Sequence, residues 1–234
     1  SSRHWRRQGS SRVRCTGWGK LSGSGDSLKL GVFGGTFDPI HFGHLQTVSA
    51  VKAQLALPRI LIVPAYIPPH RPPPVAAPEH RLSMVQLAVE EMPAFECDDR
   101  EIRRGGVSYT VLTVHELRQE FDQKPLCLIV GLDSFLDLPH WHRWTEILES
   151  AHIVVMHRPG WALPSARPDW WRDAAQDDPD LLHQQPGGCV YCTSVPAIDL
   201  TSTGIRKRLA GTAHVKDALP PSVLDYIRIH RLYG

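Results

Sequence analysis

The sequence predicts a doubly wound α/β fold, a parallel sheet with helices on both of its faces. From Lys29 onward, short runs rich in β-branched residues alternate with amphipathic segments, which is typical of parallel strands connected by helices. The run 126–130 (Leu-Cys-Leu-Ile-Val) is apolar on both faces, as expected where helices cover both sides of a sheet. The 234 residues, 42% of them hydrophobic, supply the core of one Rossmann-like domain, which we assign to 28–234.

The individual elements follow from the apolar spacing. Strands are predicted at 29–33, 59–63, 95–98, 126–130, 152–156 and 189–193. Helices are predicted at 43–57, 78–92, 110–121 and 144–149. In the first of these helices, Leu45, Val48, Val51 and Leu55 share one face. This spacing predicts a face that packs on the sheet.

Two stretches interrupt the alternation. The first, 66–78, is rich in proline, which fixes φ and removes backbone donors, so we expect an extended surface loop. The second, 158–185, contains several tryptophans and an acidic patch at 177–180. We expect this stretch to be an insertion that is helical at most around 169–176.

Residues 1–27 are rich in Ser, Gly and Arg and lack apolar periodicity, so we expect a disordered basic extension. A transit peptide has a similar composition, although a cloning remnant or a start site placed too far upstream is the simpler explanation. This stretch carries six basic side chains and one acid, which leaves 20 basic and 23 acidic residues in the rest of the chain. The folded part is therefore mildly acidic, and no nucleic-acid partner is predicted.

Cysteine content and hydropathy bear on location. Uninterrupted apolar stretches such as 60–63 are far shorter than the roughly 20 residues that cross a bilayer, so no membrane partner is predicted. Five cysteines without a secretory signal favour a reducing cytoplasm. Cys189 and Cys192 have CxxC spacing, but in a strand they face opposite sides, which favours structural roles over a metal site. The sequence allows a homo-oligomer without indicating one.

The strongest functional signal runs from the first strand into the first helix, over 31–44 (GVFGGTFDPIHFGH). Gly34 and Gly35 let the backbone approach a ligand without a Cβ in the way, and the helix start offers unpaired N–H groups to an anion. His41 and His44 are three residues apart, so they lie on one side of the first helical turn. This pattern predicts a phosphate site. A tight turn with two exposed histidines is the alternative.

A second motif lies at 201–206 (TSTGIR). Serine and threonine are good N-caps, so a helix is predicted to begin here. Arg206 follows Ser202 and Thr203 by four and three residues, on the same side of the turn. A cation at a helix N-terminus opposes the helix dipole, which favours an anion between them. An ordinary capped helix with an exposed arginine is the alternative.

Both motifs resemble signatures of nucleotidyltransferases. The stretch 34–44 is similar to the Gly-rich turn and His-x-Gly-His motif of adenylyl- and cytidylyltransferases and, more distantly, of class I aminoacyl-tRNA synthetases. In that family the two histidines bind nucleotide phosphates and stabilise the charge that develops during adenylyl transfer. The stretch 201–206 is similar to Ser-Ser-Thr-x-Ile-Arg, whose hydroxyls and arginine hold the triphosphate. Thr201 replaces the usual serine and keeps the hydroxyl.

Further segments resemble the bacterial nicotinate mononucleotide adenylyltransferases. The stretch 131–141 contains their Gly-x-Asp segment and their Leu-Pro-x-Trp. The resemblance implies that Asp133 lies at the nucleotide site and that Trp141 stacks on the pyridine ring, since a flat, electron-poor ring gains from an aromatic face. Core packing is the alternative for Trp141. The segments 103–111 and 68–71 also fit, with Arg71 in place of the usual lysine.

The resemblance covers about 29–232 and implies a single nucleotidyltransferase domain that transfers the adenylyl group of ATP to nicotinate mononucleotide during NAD synthesis. It implies catalytic roles for His41, His44 and Arg206. The residues assigned to ATP and its phosphates are Gly34, Gly35, Thr36, Phe37, Ser202 and Thr203. We expect Mg²⁺ to be bound through the ATP phosphates with water ligands, because no acidic cage is evident, and we expect Asp38 to shape the loop.

Two other functions stay open. The acceptor could be another one, such as nicotinamide mononucleotide or phosphopantetheine, because the sequence does not place the groups around the acceptor ring. A module that binds ATP without turnover is the alternative from another class. A tRNA synthetase is excluded by the chain length and by the missing anticodon-binding region.

Overall fold

The computed structural model describes residues 29–69, 72–157, 163–164, 166–211 and 214–234. The strands are β1 (Leu30–Gly35), β2 (Arg59–Pro64), β3 (Phe95–Cys97), β4 (Leu126–Gly131), β5 (His152–His157), β6 (Ala175–Gln176) and β7 (Val190–Ser194). The helices are α1 (Phe42–Gln54), α2 (Pro78–Val89), α3 (Arg100–Arg104), α4 (Thr110–Phe121), α5 (Leu132–Leu136), α6 (Trp144–Ser150), α7 (Asp169–Ala174), α8 (Ser202–Ala210) and α9 (Pro221–Ile229). Short 3-10 turns occur at Leu138–His140 and Pro179–His183.

The strands form one sheet in the order β3-β2-β1-β4-β5-β7-β6, and every neighbouring pair is parallel. The predicted doubly wound fold is therefore confirmed. The chain order reverses between β1 and β4, which pair with Val32 opposite Leu128. In open α/β sheets, ligands bind beyond the carboxyl ends of the strands at this reversal. The loop after β1 and the turn after β4 meet at that edge.

The core lies on both faces of the sheet. On one face, residues of α1, α2 and α9 such as Val48, Met84 and Ile227 pack together, each at most 2% exposed. On the other, α4, α5 and α6 contribute residues such as Val114 and Phe135. Burial of one such side chain stabilises the fold by about 1.5–3 kcal/mol, so both layers fix the strands that carry the site.

Helix α1 confirms the predicted apolar face, since Leu45, Val48, Val51 and Leu55 are all buried. Its end differs from the prediction of 57, because the helix stops at Gln54 and Ala56 takes a left-handed conformation with φ 46° before Pro58. Proline disfavours helical backbone in the residue before it, so the helix cannot extend to the predicted end at Leu57.

The stretch 158–185 was predicted to be helical at most around 169–176, and it is more ordered than that, because a 3-10 turn at Pro179–His183 follows α7 (Asp169–Ala174). Within its described residues, α7 is followed by β6, in which Ala175 pairs with Val190 of β7. Trp171 is 1% exposed and Leu182 is fully buried. This stretch therefore extends the sheet by one strand and adds to the core on both faces. Residues 158–162 and 165 lie outside the described part of the chain, as do the predicted basic extension at 1–27 and Arg71.

The structure also contains helices that the strand and helix prediction omitted, namely α3, α5 and α9. Among the described residues, no helix combines the length and the apolar character needed to cross a bilayer. Cys189 packs with the core on one face of the sheet and Cys192 against the core on the other, as their spacing in a strand predicts.

Candidate active site

The Gly-rich turn lies at the carboxyl end of β1. A Cβ at Gly35 would lie 2.8 Å from the ring of Phe37, so the turn needs glycine there unless that ring moves. At Gly34 a Cβ would meet only Val63 O, at 3.9 Å, and the residue is exposed. The fold itself therefore leaves room at Gly34, and its bare backbone faces space that a ligand can fill.

The two histidines of the first motif form a stacked pair. His41 is the residue before α1 and His44 lies in its first turn; their ring centroids are 3.7 Å apart. Gly43 makes this possible, because a Cβ there would lie 2.9 Å from the His41 ring and 3.2 Å from Leu200 Cβ. The spacing of the motif is thus explained by two rings and one glycine that leaves space for them.

The electrostatics of the pair favour neutral rings. Burial lowers the pKa of His41 from its usual 6.5 to about 4. Burial, and then the neighbouring His41, lower the pKa of His44 well below that value. Both Nδ1 atoms are buried without a hydrogen-bond partner. A buried polar atom without a partner is costly, so each ring is suited to gain a hydrogen bond when an anion binds.

One expectation about this loop is wrong. The N–H of Phe42 donates to Ala218 O at 2.9 Å, and that of His44 donates to His41 O at 2.9 Å, so these N–H groups of the helix start are not open to an anion. The Phe37 side chain is 2% exposed and meets the edge of the His44 ring at 5.2 Å. Any contact of Phe37 with a ligand is therefore limited to its backbone, while its ring supports His44.

The second motif docks onto the first. Thr201 caps α8 by accepting the N–H of Gly204 at 3.0 Å, which confirms the predicted helix start. The hydroxyl of Ser202 donates to Pro39 O at 3.0 Å. Residues some 160 positions apart therefore meet just before His41.

Arg206 completes the link between the motifs. Its Nη1 donates to Asp38 O at 2.7 Å and its Nη2 donates to Thr203 Oγ1 at 3.2 Å. The second bond confirms that Arg206 and Thr203 lie on the same side of the turn. The Arg206 side chain is 26% exposed, so part of the guanidinium faces solvent.

Asp38 organises this loop, as expected. Its Oδ2 accepts the N–H of Val75 at 2.7 Å, and its Oδ1 accepts the N–H of Ala76 at 3.1 Å. The hydroxyl of Tyr233 also donates to Oδ1, at 2.7 Å. These contacts join the proline-rich stretch and the last residues of the chain to the phosphate motif.

Arg81 is a second organising residue that the sequence reasoning missed. It is fully buried in α2 and donates to the carbonyl oxygens of Thr36, Ala65, Tyr66 and Ala76. The contact with Thr36 O is 2.8 Å long, and hydrogen bonds from a charged donor are the stronger ones. The signal was present, because a lone arginine lies on the apolar face of a predicted helix, beside Met84 and Val85.

The residues predicted for the acceptor lie around β4 and the turn after it. Asp133 is in the first turn of α5 and exposed, and its Oδ1 lies over Gly131, where a Cβ would come within 2.8 Å. Trp141 follows the 3-10 turn and packs against the core while staying partly exposed. Its position is compatible with both core packing and an exposed ring face.

Two contacts connect the neighbourhood of Trp141 to a cavity beside Tyr66. The ring of His142, next to Trp141, lies 4.6 Å from the ring of Tyr109. Ser108, next to Tyr109, accepts the N–H of Tyr66 through its Oγ at 2.8 Å. Tyr66 lines a cavity of about 390 Å³ whose other walls are Ile67, Pro74, Val75, Ala76, Ala77, Pro78 and Arg81. Val75 and Ala76 also hold Asp38, so this cavity borders the loop of the first motif. His70 and Arg71 lie outside the described residues.

Within the described ranges, no group of three His, Cys, Asp or Glu side chains is arranged to hold a metal ion. The carboxylate of Asp38, the acid within the first motif, is already occupied by its three hydrogen bonds. The chemistry of the site is therefore that of hydrogen-bond donors and one arginine around a space beside exposed glycine backbone.

Comparison with known proteins places this geometry in a family. The sequence model described as cytidylyltransferase-like matches residues 32–208. A Yersinia pestis (strain Pestoides F) protein named "Probable nicotinate-nucleotide adenylyltransferase" is 41% identical over 214 residues, which are 90% of this chain and 97% of its own. A protein of the same name from Methylococcus capsulatus is 42% identical over 208 residues, 88% of this chain and 99% of its own.

A solved structure shows the same fold. Plasmodium falciparum nicotinic acid mononucleotide adenylyltransferase complexed with NaAD superimposes with a TM-score of 0.66, over 88% of this chain and 97% of that chain, at 15% identity. That identity is low, so the likeness concerns the fold alone, whereas the sequence relatives extend over nearly the whole length. The chain belongs to the cytidylyltransferase-like family and, within it, to the nicotinate-nucleotide adenylyltransferases.

Proposed function

We propose that this protein transfers the adenylyl group of ATP to nicotinate mononucleotide, giving nicotinate adenine dinucleotide and pyrophosphate, as a step of NAD synthesis. A phosphate oxygen of the mononucleotide attacks the α-phosphorus of ATP, and the bond from that phosphorus to the pyrophosphate oxygen breaks. This in-line displacement needs no protein nucleophile. Positioning and stabilisation of developing charge supply the catalysis.

One observation carries the proposal, which is the docking of α8 onto the loop after β1. Ser202 and Arg206 contact the backbone of Pro39 and Asp38, directly before the stacked histidines. A chain of phosphates that starts beside Gly34 and His44 can therefore reach Arg206 without leaving the carboxyl edge of the sheet. Ligands bind at such a reversal of strand order, and two motifs brought together there can hold a nucleoside triphosphate.

We assign the residues accordingly. His41 and His44 donate hydrogen bonds to the reacting phosphates as neutral rings, beside Gly34, Gly35, Thr36 and the backbone of Phe37. Ser202, Thr203 and Arg206 hold the β- and γ-phosphates. Donors fixed before the reaction do not have to reorganise as charge develops on the phosphates, which is the source of their effect on the rate.

The acceptor is assigned to the side of β4. Trp141 presents an aromatic face to the pyridine ring, and Asp133 lies at the nucleotide. The carboxylate of nicotinate would be recognised by donors near the cavity at Tyr66 and Ser108. We place the reaction in the cytoplasm, in keeping with the buried Cys127 and Cys189, which form no disulfide in the described part of the chain.

Magnesium enters as part of the substrate. Mg²⁺ bound to ATP neutralises phosphate charge and keeps most of its water ligands, which suits a site without an acidic cage. We assign no side chain to hold the ion. The protein itself would contribute the donors of the histidines and Arg206 to the phosphates.

The test is a coupled assay of pyrophosphate release with Mg²⁺ and ATP. Nicotinate mononucleotide, nicotinamide mononucleotide and phosphopantetheine are offered in turn. We expect nicotinate mononucleotide to give the highest kcat/KM. A higher kcat/KM with another acceptor would contradict the acceptor, while tight ATP binding without pyrophosphate from any of the three would leave a non-catalytic ATP-binding module.

A further inference from the structure

The last described turn of the chain reaches into the phosphate site. Tyr233 lies beyond α9 in a left-handed conformation, with φ 67°, and its ring packs against the core on the α1 and α2 face. The preceding residue is fixed by a bond from Leu232 N to Ile227 O at 3.0 Å. The hydroxyl that donates to Asp38 is therefore held in place from two directions.

The Asp38 carboxylate is shared among several donors. Oδ1 accepts from Tyr233 and Ala76, and Oδ2 accepts from Val75. Oδ2 also lies 3.6 Å from Arg206 Nη1, which is an ion pair longer than a direct hydrogen bond. Asp38 is 4% exposed, so water has little access to replace a donor that is lost. The number of donors on this carboxylate thus sets how strongly it attracts Arg206.

The guanidinium of Arg206 can therefore bond either to Asp38 or to the triphosphate. In the structure its Nη1 bonds to the carbonyl oxygen of Asp38 rather than to the carboxylate. To hold a triphosphate, the guanidinium must turn part of its donor set toward the phosphates. A tighter pair with the Asp38 carboxylate would compete with that movement.

The protonation of Tyr233 suits a permanent donor. Burial and the bond to Asp38 raise the pKa of the Tyr233 hydroxyl well above its usual value of 10. The hydroxyl therefore keeps its proton at neutral pH, and Asp38 keeps this partner.

We propose that Tyr233 is a positioning residue for adenylyl transfer: by donating to Asp38, it limits the hold of that carboxylate on Arg206 and leaves the guanidinium available to the triphosphate. The inference rests on the proposed contact of Arg206 with ATP. It adds a residue outside both nucleotide motifs and some 200 positions from the first of them.

Tyr233→Phe tests this inference, since it removes the hydroxyl and keeps the ring. Tyr226→Phe is the matched control, because it also removes a tyrosine hydroxyl that makes a side-chain hydrogen bond. That bond joins Tyr226 to His80 Nδ1 at 2.9 Å and does not involve Asp38. Each substitution is made in the full chain and again in the Arg206→Ala background. The KM and kcat for ATP, the Kd of Mg-ATP by calorimetry and the Tm are measured for all of them.

We expect Tyr233→Phe to raise the KM and Kd for ATP about three- to tenfold, with kcat changed by less than about twofold, which corresponds to about 0.7–1.4 kcal/mol of ATP binding. In the Arg206→Ala background the same substitution should leave ATP binding unchanged, because the effect acts through Arg206. Tyr226→Phe should lower the Tm at most and leave the Kd for ATP as it was.

Three results would overturn the inference. They are an unchanged ATP affinity in Tyr233→Phe, an equal loss of affinity in both backgrounds, and an equal effect of Tyr226→Phe. Failure of the proposed function is seen separately, in the pyrophosphate-release assay. An unchanged Kd for ATP in Arg206→Ala would contradict the contact of Arg206 with ATP, on which the inference rests. The stoichiometry fitted in calorimetry gives the fraction of protein that binds ATP. The Kd of a less stable variant is therefore that of its folded molecules.

Discussion

The imidazole rings of His41 and His44 are stacked, with centroids 3.7 Å apart and planes inclined by 25°. Two imidazolium ions at this distance would repel each other, and burial adds to that cost. The pair is therefore stable as two neutral rings. A neutral ring donates one hydrogen bond, so the pair offers the phosphates directed donors rather than two full positive charges.

His44→Ala is expected to lower kcat about 10²- to 10³-fold, the effect of losing one donor that is fixed in place before the reaction. Steady-state assays with both substrates saturating measure it. His80→Ala is the control, since His80 is also a half-buried histidine among rings but contacts Tyr226 and His230 instead. A kcat within about threefold of the unmodified protein would remove His44 from the transition state.

Arg206→Ala is expected to raise the KM for ATP on the order of 10- to 100-fold, the effect of losing a charge-assisted hydrogen bond worth about 1.5–3 kcal/mol. Lys207→Ala is the matched control, because Lys207 is an exposed cation next to it on α8. The two variants change net charge equally, so a general electrostatic effect would appear in both. Equal KM values in the two variants would contradict a direct contact.

Substitutions of Trp141 separate stacking from core packing. Trp141→Phe keeps an aromatic face and should change the KM for the pyridine nucleotide by less than about threefold. Trp141→Leu keeps apolar volume but loses the face, so it should raise that KM about tenfold with little change in the KM for ATP, given that aromatic pairs contribute about 0.5–1.5 kcal/mol. Equal effects of Trp141→Leu on both KM values would favour core packing.

Much of the fold could be predicted because its signals are local. The apolar spacing of α1 identified its buried face, and β-branched runs located six of the strands within one or two residues. Helix α9 also had a readable signal, since Val223, Leu224 and Ile227 follow a Pro-Pro start at helical spacing. Helix α3 did not, because four charged residues around the single apolar Ile102 form no apolar stripe and resemble a loop.

The contacts that organise the site could not be read in the same way. Asp38 is held by the backbone of Val75 and Ala76, and backbone donors carry no sequence signature. Its partner Tyr233 is 195 residues away, in a turn whose pattern says nothing about where it docks. Likewise, the sequence predicted unpaired N–H groups at the start of α1, whereas the N–H of Phe42 donates a hydrogen bond to Ala218 O. Such partners depend on the tertiary path of the chain.

A last prediction concerns stability in acid. His152 is fully buried in β5; its Nδ1 accepts the N–H of Cys189 at 3.3 Å, which leaves Nε2–H to donate to Gln185 O at 2.8 Å. Burial lowers the pKa of His152, an effect that the Gln185 carbonyl partly offsets and that Arg118, Lys29 and His183 reinforce. The pKa of His41 is lowered to about 4.

The rings of His152 and His41 bind a proton more readily in the unfolded chain, where their pKa is about 6.5. Protonation of either ring therefore favours unfolding. Their stabilising contribution is complete above pH 6.5 and is lost as the pH falls toward the pKa of the folded state. Each such histidine should reduce the free energy of unfolding by about 1.4 kcal/mol per pH unit between its two pKa values. Urea unfolding at pH 8.0, 6.0 and 5.0 measures this loss.

His152→Gln isolates one ring, because the amide can donate to Gln185 O and accept from Cys189 N without titrating. We expect this variant to be less stable than the unmodified protein at pH 8.0, by about 1–3 kcal/mol, since its hydrogen bonds fit less well. Between pH 6.0 and 5.0 its free energy of unfolding should fall less steeply than that of the unmodified protein, by up to about 1.4 kcal/mol, because one titrating histidine is gone. His140→Gln makes the same substitution at an exposed position and serves as the comparison. If His152→Gln and the unmodified protein lose stability equally with pH, then the ring of His152 does not govern the acid response, and His41 becomes the group to replace next.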